Sequence, residues 1–380
     1  MAAGTFTLKW GILATGGIAK TFCKDLLIDP TTRNANDVRH KIVAAASSSS
    51  QARAQQFLTA LGVNNAKAYG TYENLVKDDD VDIIYIATPH SHHYQNARLC
   101  LEAGKNVLIE KPITVNAQQA EILVQIAKEK GLFLMEAVWT RFFPLAKQIR
   151  ELVASGKLGK VERVWADLSF WNDVEEEFGT GHRMVNLDLA GGALLDLGIY
   201  SLTWIFQILY HTLPPSQRSA PAIASTMSKY EATGCDEQTS ILLSFPGGAQ
   251  GVATTSIRVS HSSSSDVPPV RIQGTHGDIH VHAPIYRPTS YTLIPAQNEK
   301  RGKIASWEFK EVKEEVPGGG HGMFWEADEC ARCVRDGRVE SEGMPWEETV
   351  SVMKVMDEVR RQGGLVYLGG LESLEYPLDV

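Results

Sequence analysis

Residues 10–19 read Trp10-Gly11-Ile12-Leu13-Ala14-Thr15-Gly16-Gly17-Ile18-Ala19. An apolar run stops at small residues, and Ile18, Ala19, Phe22, Cys23, Leu26 and Leu27 then recur at helical spacing. Strand, tight turn and amphipathic helix open a βαβ unit. The turn aligns with the dinucleotide fingerprint G-x-G-x-x-G/A as Ala14, Gly16 and Ala19, with alanine at the first glycine position. Gly16 would let the backbone approach a pyrophosphate, and Ala19 would let the helix pack closely on the sheet. The segment Ala14, Thr15, Gly16, Gly17 and Ile18 would then present unpaired N–H groups to phosphate. The other reading is a tight strand–helix turn that holds no ligand.

Outward from this turn the same rhythm continues. Strands are expected at 6–14, 42–46, 81–87, 107–110 and 132–136. Helices are expected at 51–61, 96–103 and 116–130, the last closed by Gly131 as a C-cap. The strand at 81–87 is almost continuously apolar, which suits a parallel strand buried on both faces. After Trp139 the pattern changes. A helix near 145–155 precedes an alternating strand at 161–171, where Val164, Ala166, Leu168 and Phe170 share a face. A helix follows at 191–210. Further strands are read at 239–245, 251–259, 270–274, 279–281 and 307–312. Without a long crossover helix between them they are expected to pair antiparallel. Long polar loops fill 213–221 and 260–269.

The expected fold class is α/β: an N-terminal Rossmann doubly wound parallel sheet, then a C-terminal α+β domain with an open-faced, mostly antiparallel sheet. Residues 1–138 are expected to form the nucleotide-binding domain and 139–380 the second domain. If helices cover one face of the second sheet, the other is a dimer surface or the wall of a site.

Composition agrees and excludes alternatives. At ~150 residues per domain, 380 residues suggest two domains. The chain is 43% hydrophobic and 22% charged, as ordinary globular domains are. A net charge of −8 with no basic stripe argues against a nucleic-acid partner. The most apolar stretch, 194–210, is broken by Asp196, Ser201, Thr203 and Gln207 and falls short of the ~20 apolar residues of a span, so no membrane partner is expected. No signal peptide is read, and a cytoplasmic location is expected. Five cysteines do not make a disulfide scaffold. Cys330 and Cys333 form a C-x-x-C pair on a helical stretch with no second pair, so two helix thiols are expected rather than a zinc site.

Cofactor choice is set at the end of the second strand. A carboxylate there would bind the ribose 2′-OH of NAD and repel a 2′-phosphate. This strand ends Ala46-Ser47-Ser48-Ser49-Ser50, and Asp37 lies in a loop before it, pointing the wrong way. Ser47 and Ser48 with Arg53 could hold a 2′-phosphate, which favours NADP. The alternative for Arg53 is a solvated helix charge.

Two further segments put polar residues just past buried strands, where open α/β sheets bind ligands. These are Thr88-Pro89-His90-Ser91-His92-His93 and Glu110-Lys111-Pro112. A lysine at the edge of an apolar strand is costly without a task or a partner. Three histidines invite a metal reading. However, adjacent His92 and His93 seldom converge on one ion and no carboxylate cluster completes a site, so no metal is expected. Finally, in Gly191-Gly192-Ala193-Leu194-Leu195-Asp196-Leu197-Gly198-Ile199-Tyr200, a helix would put Asp196 and Tyr200 at i and i+4 on one face. Either a site or a Tyr–Asp hydrogen bond in the core would result.

These four segments, in this order, resemble the glucose–fructose oxidoreductase / inositol dehydrogenase family, over nearly the whole chain. The most specific marks are Glu110-Lys111-Pro112, the Thr88-Pro89 to His93 spacing, and Asp196-x-x-x-Tyr200. The resemblance implies a Rossmann domain plus an open-faced sheet that often forms a dimer contact. It also implies hydride transfer between a nicotinamide and sugars, polyols or related diols. Inositol-type members have His where this chain has Tyr200. Tyr200 and Trp139-Thr140-Arg141-Phe142-Phe143-Pro144 look like the branch that uses NADP on D-xylose or on trans-dihydrodiols. The departures are Ala14 for the first glycine, His90 for a frequent Asn, and Ser48 where an Arg often reads the 2′-phosphate.

The resulting expectation is NADP-dependent oxidation of a cyclic aldose, D-xylose, at C1 to the lactone. The alternatives are trans-1,2-dihydrodiol oxidation and a non-catalytic NADP-binding sensor. Tyr200 is the expected proton acceptor. A free phenol titrates near ~10, so it needs a cation beside it, which Lys111 would supply. Asp196 would orient Lys111 or bind a sugar hydroxyl. Trp139, Arg141 and Phe142 would meet the substrate, with His93 lining the same pocket. Thr88, Pro89, His93, Glu110 and Lys111 would meet the nicotinamide end of the cofactor. A homodimer through the C-terminal sheet is the remaining partner expectation.

Overall fold

Buried apolar strands alternate with helices from the start of the chain. In order they are β1 (Phe6–Leu13), α1 (Gly17–Leu26), β2 (Val38–Ala46), α2 (Gln51–Ala60), β3 (Lys67–Tyr69), α3 (Tyr72–Val76), β4 (Ile83–Ile86), α4 (His93–Glu102), β5 (Asn106–Glu110), α5 (Ala117–Lys130) and β6 (Leu134–Ala137). The computed structural model describes residues 4–261, 267–298, 302–303 and 305–378. Within it these strands form one parallel sheet of order β3-β2-β1-β4-β5-β6. The chain starts mid-sheet at β1, runs to one edge, then returns to β4 and the other edge. The order reverses between β1 and β4, the place where such sheets bind ligands at their carboxyl ends. Gly131 closes α5 at φ +64 as expected. The sequence reading missed β3 and α3, which are too short to show a period.

The second sheet is built from β7 (Val161–Ser169), β8 (Ala222–Lys229), β9 (Asp236–Ser244), β10 (Gln250–Ser256), β11 (Val270–Gly274), β12 (Gly277–Val281) and β13 (Ser290–Pro295). After β14 (Gln297–Asn298) and β15 (Gly302–Lys303), a small ladder of their own, β16 (Lys310–Lys313) completes it. The order is β16-β13-β12-β11-β7-β10-β9-β8. All pairs are antiparallel except β7 with β10. The sheet is thus mostly antiparallel as expected, and this parallel pair is its one exception among the described strands. Between β7 and β10 the chain passes through α8 (Ile199–Leu209), which packs on both strands and serves as the crossover. Ser201 ties the three together: its hydroxyl accepts from the Leu168 N–H at 3.0 Å and donates to the Thr254 carbonyl at 3.0 Å. The apolar run of which α8 is part, Leu187–Leu209, has 94% of its most apolar window buried.

Two more helices come on either side of β7 in the chain, α6 (Pro144–Ala154) and the single turn α7 (Val174–Glu177). Strands β8 and β13 were not expected. β8 is an edge strand of small and polar residues and shows no apolar alternation. The strand at 161–171 stops at Ser169, so Phe170 leaves the sheet and is 37% exposed. The polar loop at 260–269 falls partly outside the described residues.

Two helices close the chain, α9 (Phe324–Arg335) and α10 (Trp346–Gly363). By contacts the first compact unit is Met1–Trp139, Val316–Val350 and Gly369–Val380, and the second is Thr140–Glu315 and Ser351–Leu368. The expected division at 138/139 did not anticipate the two returns to the first unit. Their cause is visible in the bonds that hold them. Asp25 on α1 accepts from the N–H groups of His321, Gly322 and Met323 and so caps the start of α9 from another helix. Arg33 makes a buried bidentate pair with Asp328 on α9, both bonds at 2.8 Å. Asp328 also holds His40 Nε2 at 2.9 Å, while Trp10 Nε1 donates to His40 Nδ1 at 3.1 Å. The indole therefore fixes the imidazole proton on Nε2, where it faces the carboxylate. The last segment is held by the buried Gln119 amide, which donates to the carbonyls of Leu371 and Ser373.

Candidate active site

In the first unit, polar residues gather at the carboxyl ends of the parallel strands. β1 ends at Leu13, and Ala14 takes φ +79, the left-handed conformation that glycine enters freely. The alanine departure therefore keeps the backbone shape of the fingerprint at a cost in strain. Gly16 is the N-cap of the ten-residue helix α1 and offers no side-chain cap. The first turn carries no acidic residue. A Cβ on Gly16 or Gly17 would meet nothing within 4 Å, so the helix start has open space before it. These features fit a pyrophosphate: free N–H donors, a positive helix end, and room for backbone approach.

β2 ends at Ala46 as the cofactor reading requires. Ser47 is buried and its hydroxyl accepts from the Ser49 N–H at 3.4 Å. Ser50 is spent as the N-cap of α2, accepting from the Arg53 N–H at 3.2 Å. Ser48 and Arg53 are exposed, and the Arg53 guanidinium has no ion-pair partner among the described residues. No carboxylate sits at this strand end. Asp37 is held away from it by Arg332 and Arg335, at 2.9 Å each, and these guanidinium groups hold its carboxyl well below the usual range. The donors present fit a 2′-phosphate.

Past β4, Thr88 is half-buried and Pro89 exposed. His93, which begins α4, is 0% exposed. Its Nδ1 lies 2.7 Å from the Pro112 carbonyl and its Nε2 2.9 Å from the Thr88 carbonyl. Burial pushes its pKa down to about 4. His93 thus pins the loop after β4 to the loop after β5 and has no surface to offer a ligand, which corrects its expected place in the pocket wall. Among the described residues no group of His, Cys, Asp and Glu could hold a metal ion. All five cysteines are buried, and burial raises the Cys330 and Cys333 thiols.

Glu110 ends β5. It accepts from the Tyr85 phenol and, at 3.3 Å, from the Lys111 N–H. Lys111 is 9% exposed, and a cis peptide bond joins it to Pro112. The segment is secured next door by Glu136, which accepts from the Ile113 N–H at 3.0 Å and the Thr349 hydroxyl at 3.1 Å. The pair Tyr85 and Glu136 was not found from sequence, since each reads there as an ordinary strand residue.

In the second unit, the expected α-helix at 191–210 begins instead with a π-turn, Leu194–Gly198, before α8. π-bulges are frequent at functional sites. Asp196 lies in the π-turn and Tyr200 in the first turn of α8, each 8% exposed. Asp196 Oδ1 pairs with Arg183 Nη1 at 3.1 Å. The Tyr200 ring lies 5.9 Å from Tyr286, and Phe170 lies 6.2 Å from Tyr286. Tyr286 is fixed by its backbone: its carbonyl accepts from the Thr140 hydroxyl at 2.6 Å, and the neighbouring Ile285 carbonyl accepts from Trp204 Nε1 at 2.9 Å. Arg141 and Phe142 are each 1% exposed, so they support this region from within rather than presenting a face to substrate. Trp139, at the end of the first unit, is 7% exposed. Arg183 and Tyr286 were missed from sequence because no motif or period marks them, and Phe170 was read there only as a strand residue.

Known proteins place this arrangement. Residues 8–138 match the oxidoreductase family with an NAD-binding Rossmann fold, and residues 146–280 match the GFO/IDH/MocA C-terminal domain. The chain is 54% identical over 375 residues to D-xylose 1-dehydrogenase (NADP(+)) of Hypocrea jecorina, spanning 97% of this chain and 95% of that protein. It is 34% identical over 364 residues to trans-1,2-dihydrobenzene-1,2-diol dehydrogenase of Bos taurus, spanning 95% of this chain and 98% of that one. A solved NAD binding oxidoreductase from Klebsiella pneumoniae shares the fold, with a TM-score of 0.77 at 21% identity over 94% of this chain and 96% of that one. A fingerprint turn, an open-faced second sheet and near full-length similarity thus agree, and the chain belongs to the GFO/IDH/MocA family of oxidoreductases.

Proposed function

We propose that this protein oxidises a cyclic aldose at its anomeric carbon to the lactone, with NADP as the acceptor and D-xylose as the substrate. The observation that carries the reading is the much greater likeness to the xylose dehydrogenase than to the dihydrodiol enzymes. Bound NADP supplies the hydride acceptor. The start of α1, with Ala14 to Ile18, holds its pyrophosphate, and Ser47, Ser48 and Arg53 hold its 2′-phosphate. Thr88, Pro89, Glu110 and Lys111 serve the nicotinamide end.

As C1 loses hydride its hydroxyl must lose a proton, and Tyr200 Oη accepts it. The Lys111 ammonium would bond the reacting hydroxyl. Asp196, oriented by Arg183, accepts from a sugar hydroxyl. Trp139 and Tyr286 offer aromatic faces that suit sugar C–H surfaces. A cofactor-binding sensor would need neither Lys111 nor Tyr200, and the chain has both. The test is NADP reduction followed at its nicotinamide absorbance with aldopentoses, aldohexoses and a trans-dihydrodiol. The largest kcat/KM is expected with D-xylose. A larger value with the dihydrodiol, or no turnover with any of them, overturns the reading.

We also infer a homodimer through the open face of the eight-stranded sheet. The reading is supported by alternation: Val164, Ala166 and Leu168 are buried on one face, while Trp165 and Leu242 stand exposed on the other. Sedimentation should give twice the chain mass, and Leu242→Asp should give the monomer. A monomeric unmodified protein overturns it.

A further inference from the structure

The residues that start the π-turn carry a constraint that Asp196 and Tyr200 alone do not explain. Asp236, the first residue of β9, is 0% exposed. Its Oδ2 accepts from the Leu194 N–H at 2.6 Å, with the Thr239 hydroxyl at 3.5 Å. Its Oδ1 has no hydrogen-bond partner among the described residues. Instead that oxygen presses on Gly192, where a Cβ would lie 2.0 Å from it. Gly192 has φ +124, a conformation that L side chains rarely adopt, so only glycine lets the carboxyl come this close.

A carboxyl in such a place is expensive. Burial pushes its pKa up to about 6, against the Leu194 N–H and the Arg360 charge, which favour the ionised form. Such a cost persists when the group has a task. The task is visible in what it binds. The first N–H groups of a helical segment have no partner within it, and a buried N–H without one is costly. Asp236 satisfies the first N–H of the π-turn from a strand 42 positions away in sequence. A carboxylate there also meets the positive end of the helix.

Resting on the reading that Tyr200 and Asp196 do the chemistry, we propose that Asp236 is a positioning residue: by fixing the Leu194 N–H against Gly192 it sets where the π-turn begins and so how Asp196 and Tyr200 are presented. A π-turn holds one residue more than an α-turn over the same span. Without an anchor at its start the segment can relax to α-helix, and a slip of one residue turns every following side chain by ~100° about the axis, as 3.6 residues per turn requires.

The experiment compares Asp236→Ala with Asp236→Asn. Asn keeps an oxygen to accept from Leu194, while Ala removes it. In Ala, kcat for D-xylose should fall at least tenfold with the Kd for NADP unchanged, because the cofactor is held by the first unit. Backbone hydrogen exchange across 193–200 should quicken in the same variant. In Asn, kcat should stay within about threefold and exchange should stay slow, even if Tm drops. Should Ala fail to fold, Asn decides alone: a tenfold fall in its kcat with fast exchange overturns the proposal. So does an Ala variant with normal kcat and slow exchange. Tyr200→Phe is run beside them. If it stays active while Asp236→Ala quickens exchange and slows turnover, positioning stands and the assignment of Tyr200 falls. If it is inactive and Asp236→Ala is normal, only the positioning falls.

Discussion

The His93 ring is wedged between two backbone carbonyls, with Nδ1 2.7 Å from Pro112 O and Nε2 2.9 Å from Thr88 O. A neutral imidazole has one N–H to give, and both neighbours are acceptors. Protonation would satisfy both, but the site is fully buried and the pKa falls to about 4. The ring is therefore neutral at pH 7 and bridges the two ligand-end loops as a spacer with one good hydrogen bond.

His93→Phe should keep the ring and lose the bridge. NADP affinity is expected to fall about tenfold, an energy of ~1.4 kcal/mol, the scale of one buried hydrogen bond. The pH dependence gives a second reading. The unfolded histidine takes a proton near ~6.5 and the folded one only near 4, so stability is full above the first value and is lost as pH falls towards the second. Thermal melts at pH 7 and pH 5 should differ less in His93→Phe than in the unmodified protein. Equal differences would remove His93 from this account.

Glu326 on α9 works with the opposite sign. It is 0% exposed, and neither carboxyl oxygen has a hydrogen-bond partner among the described residues. Burial, with Glu110 and Asp25 adding negative charge, raises its pKa well above the ordinary range. The nearby donors are already used: three backbone N–H groups bind Asp25 and the Tyr85 phenol binds Glu110. Glu326 thus keeps its proton when folded and loses it when unfolded. Between those pKa values the folded state binds more protons, so stability falls as pH rises. Glu326→Gln should raise Tm at pH 8.5 more than at pH 7. An equal shift at both values would show that the carboxyl ionises in the fold.

Ala14 tests the fingerprint directly. Its φ of +79 costs an L residue ~1–2 kcal/mol, while glycine adds ~0.4–1 kcal/mol of unfolded-chain entropy. Ala14→Gly should therefore raise stability by about 0.5–1 kcal/mol, read as a small rise in Tm, with NADP binding kept. A lower Tm would mean that the Ala14 methyl makes packing contacts worth more than the strain.

Much of this was legible from sequence for one physical reason. β4, nearly all of β5 and the second half of β1 are buried on both faces, and such apolar runs suit parallel strands. The turn after β1, Lys111 at a strand end, and Asp196 with Tyr200 are marked by short-range spacing. What failed is long-range. Asp236 and Gly192 lie 44 positions apart, Arg33 and Asp328 far more, and neither pair has a local pattern. β7 pairs parallel with β10 because α8 carries the chain across, which the polar hairpin between them conceals. The return of α9 was invisible because an amphipathic helix does not announce which sheet it covers. His93 was read as a wall residue because spacing gives its place on α4 but not the two carbonyls that bury it.

The cofactor preference rests on Arg53. Its guanidinium is exposed beside the serines at the end of β2, with no carboxylate at that strand end. Arg53→Ala should raise KM for NADP about tenfold and leave KM for NAD within about twofold, the scale of one exposed charge-assisted contact to a phosphate. Equal KM values for the two cofactors in the unmodified protein would overturn the NADP assignment. An unchanged NADP value in the variant would overturn only the role of Arg53.

The proton is the last step to place. Tyr200→Phe keeps the ring that packs 5.9 Å from Tyr286, so Tm should change little. General acid–base catalysis is typically worth ~10²–10⁴-fold, and kcat should fall by at least that order. Lys111→Met keeps the length and removes the charge. It should bind NADP and fold, yet lose turnover by several orders of magnitude. In whatever activity remains, the alkaline rise of kcat/KM should move to higher pH. Asp196→Asn should move that rise less, since Asp196 already shares its charge with Arg183 at 3.1 Å. If Tyr200→Phe keeps full activity and the same profile, the proton goes elsewhere. His93 cannot take it, because the ring is fully buried with both nitrogens on carbonyls. Asp196 would then be the remaining acceptor, and Asp196→Asn rather than Tyr200→Phe would be the variant that silences the enzyme.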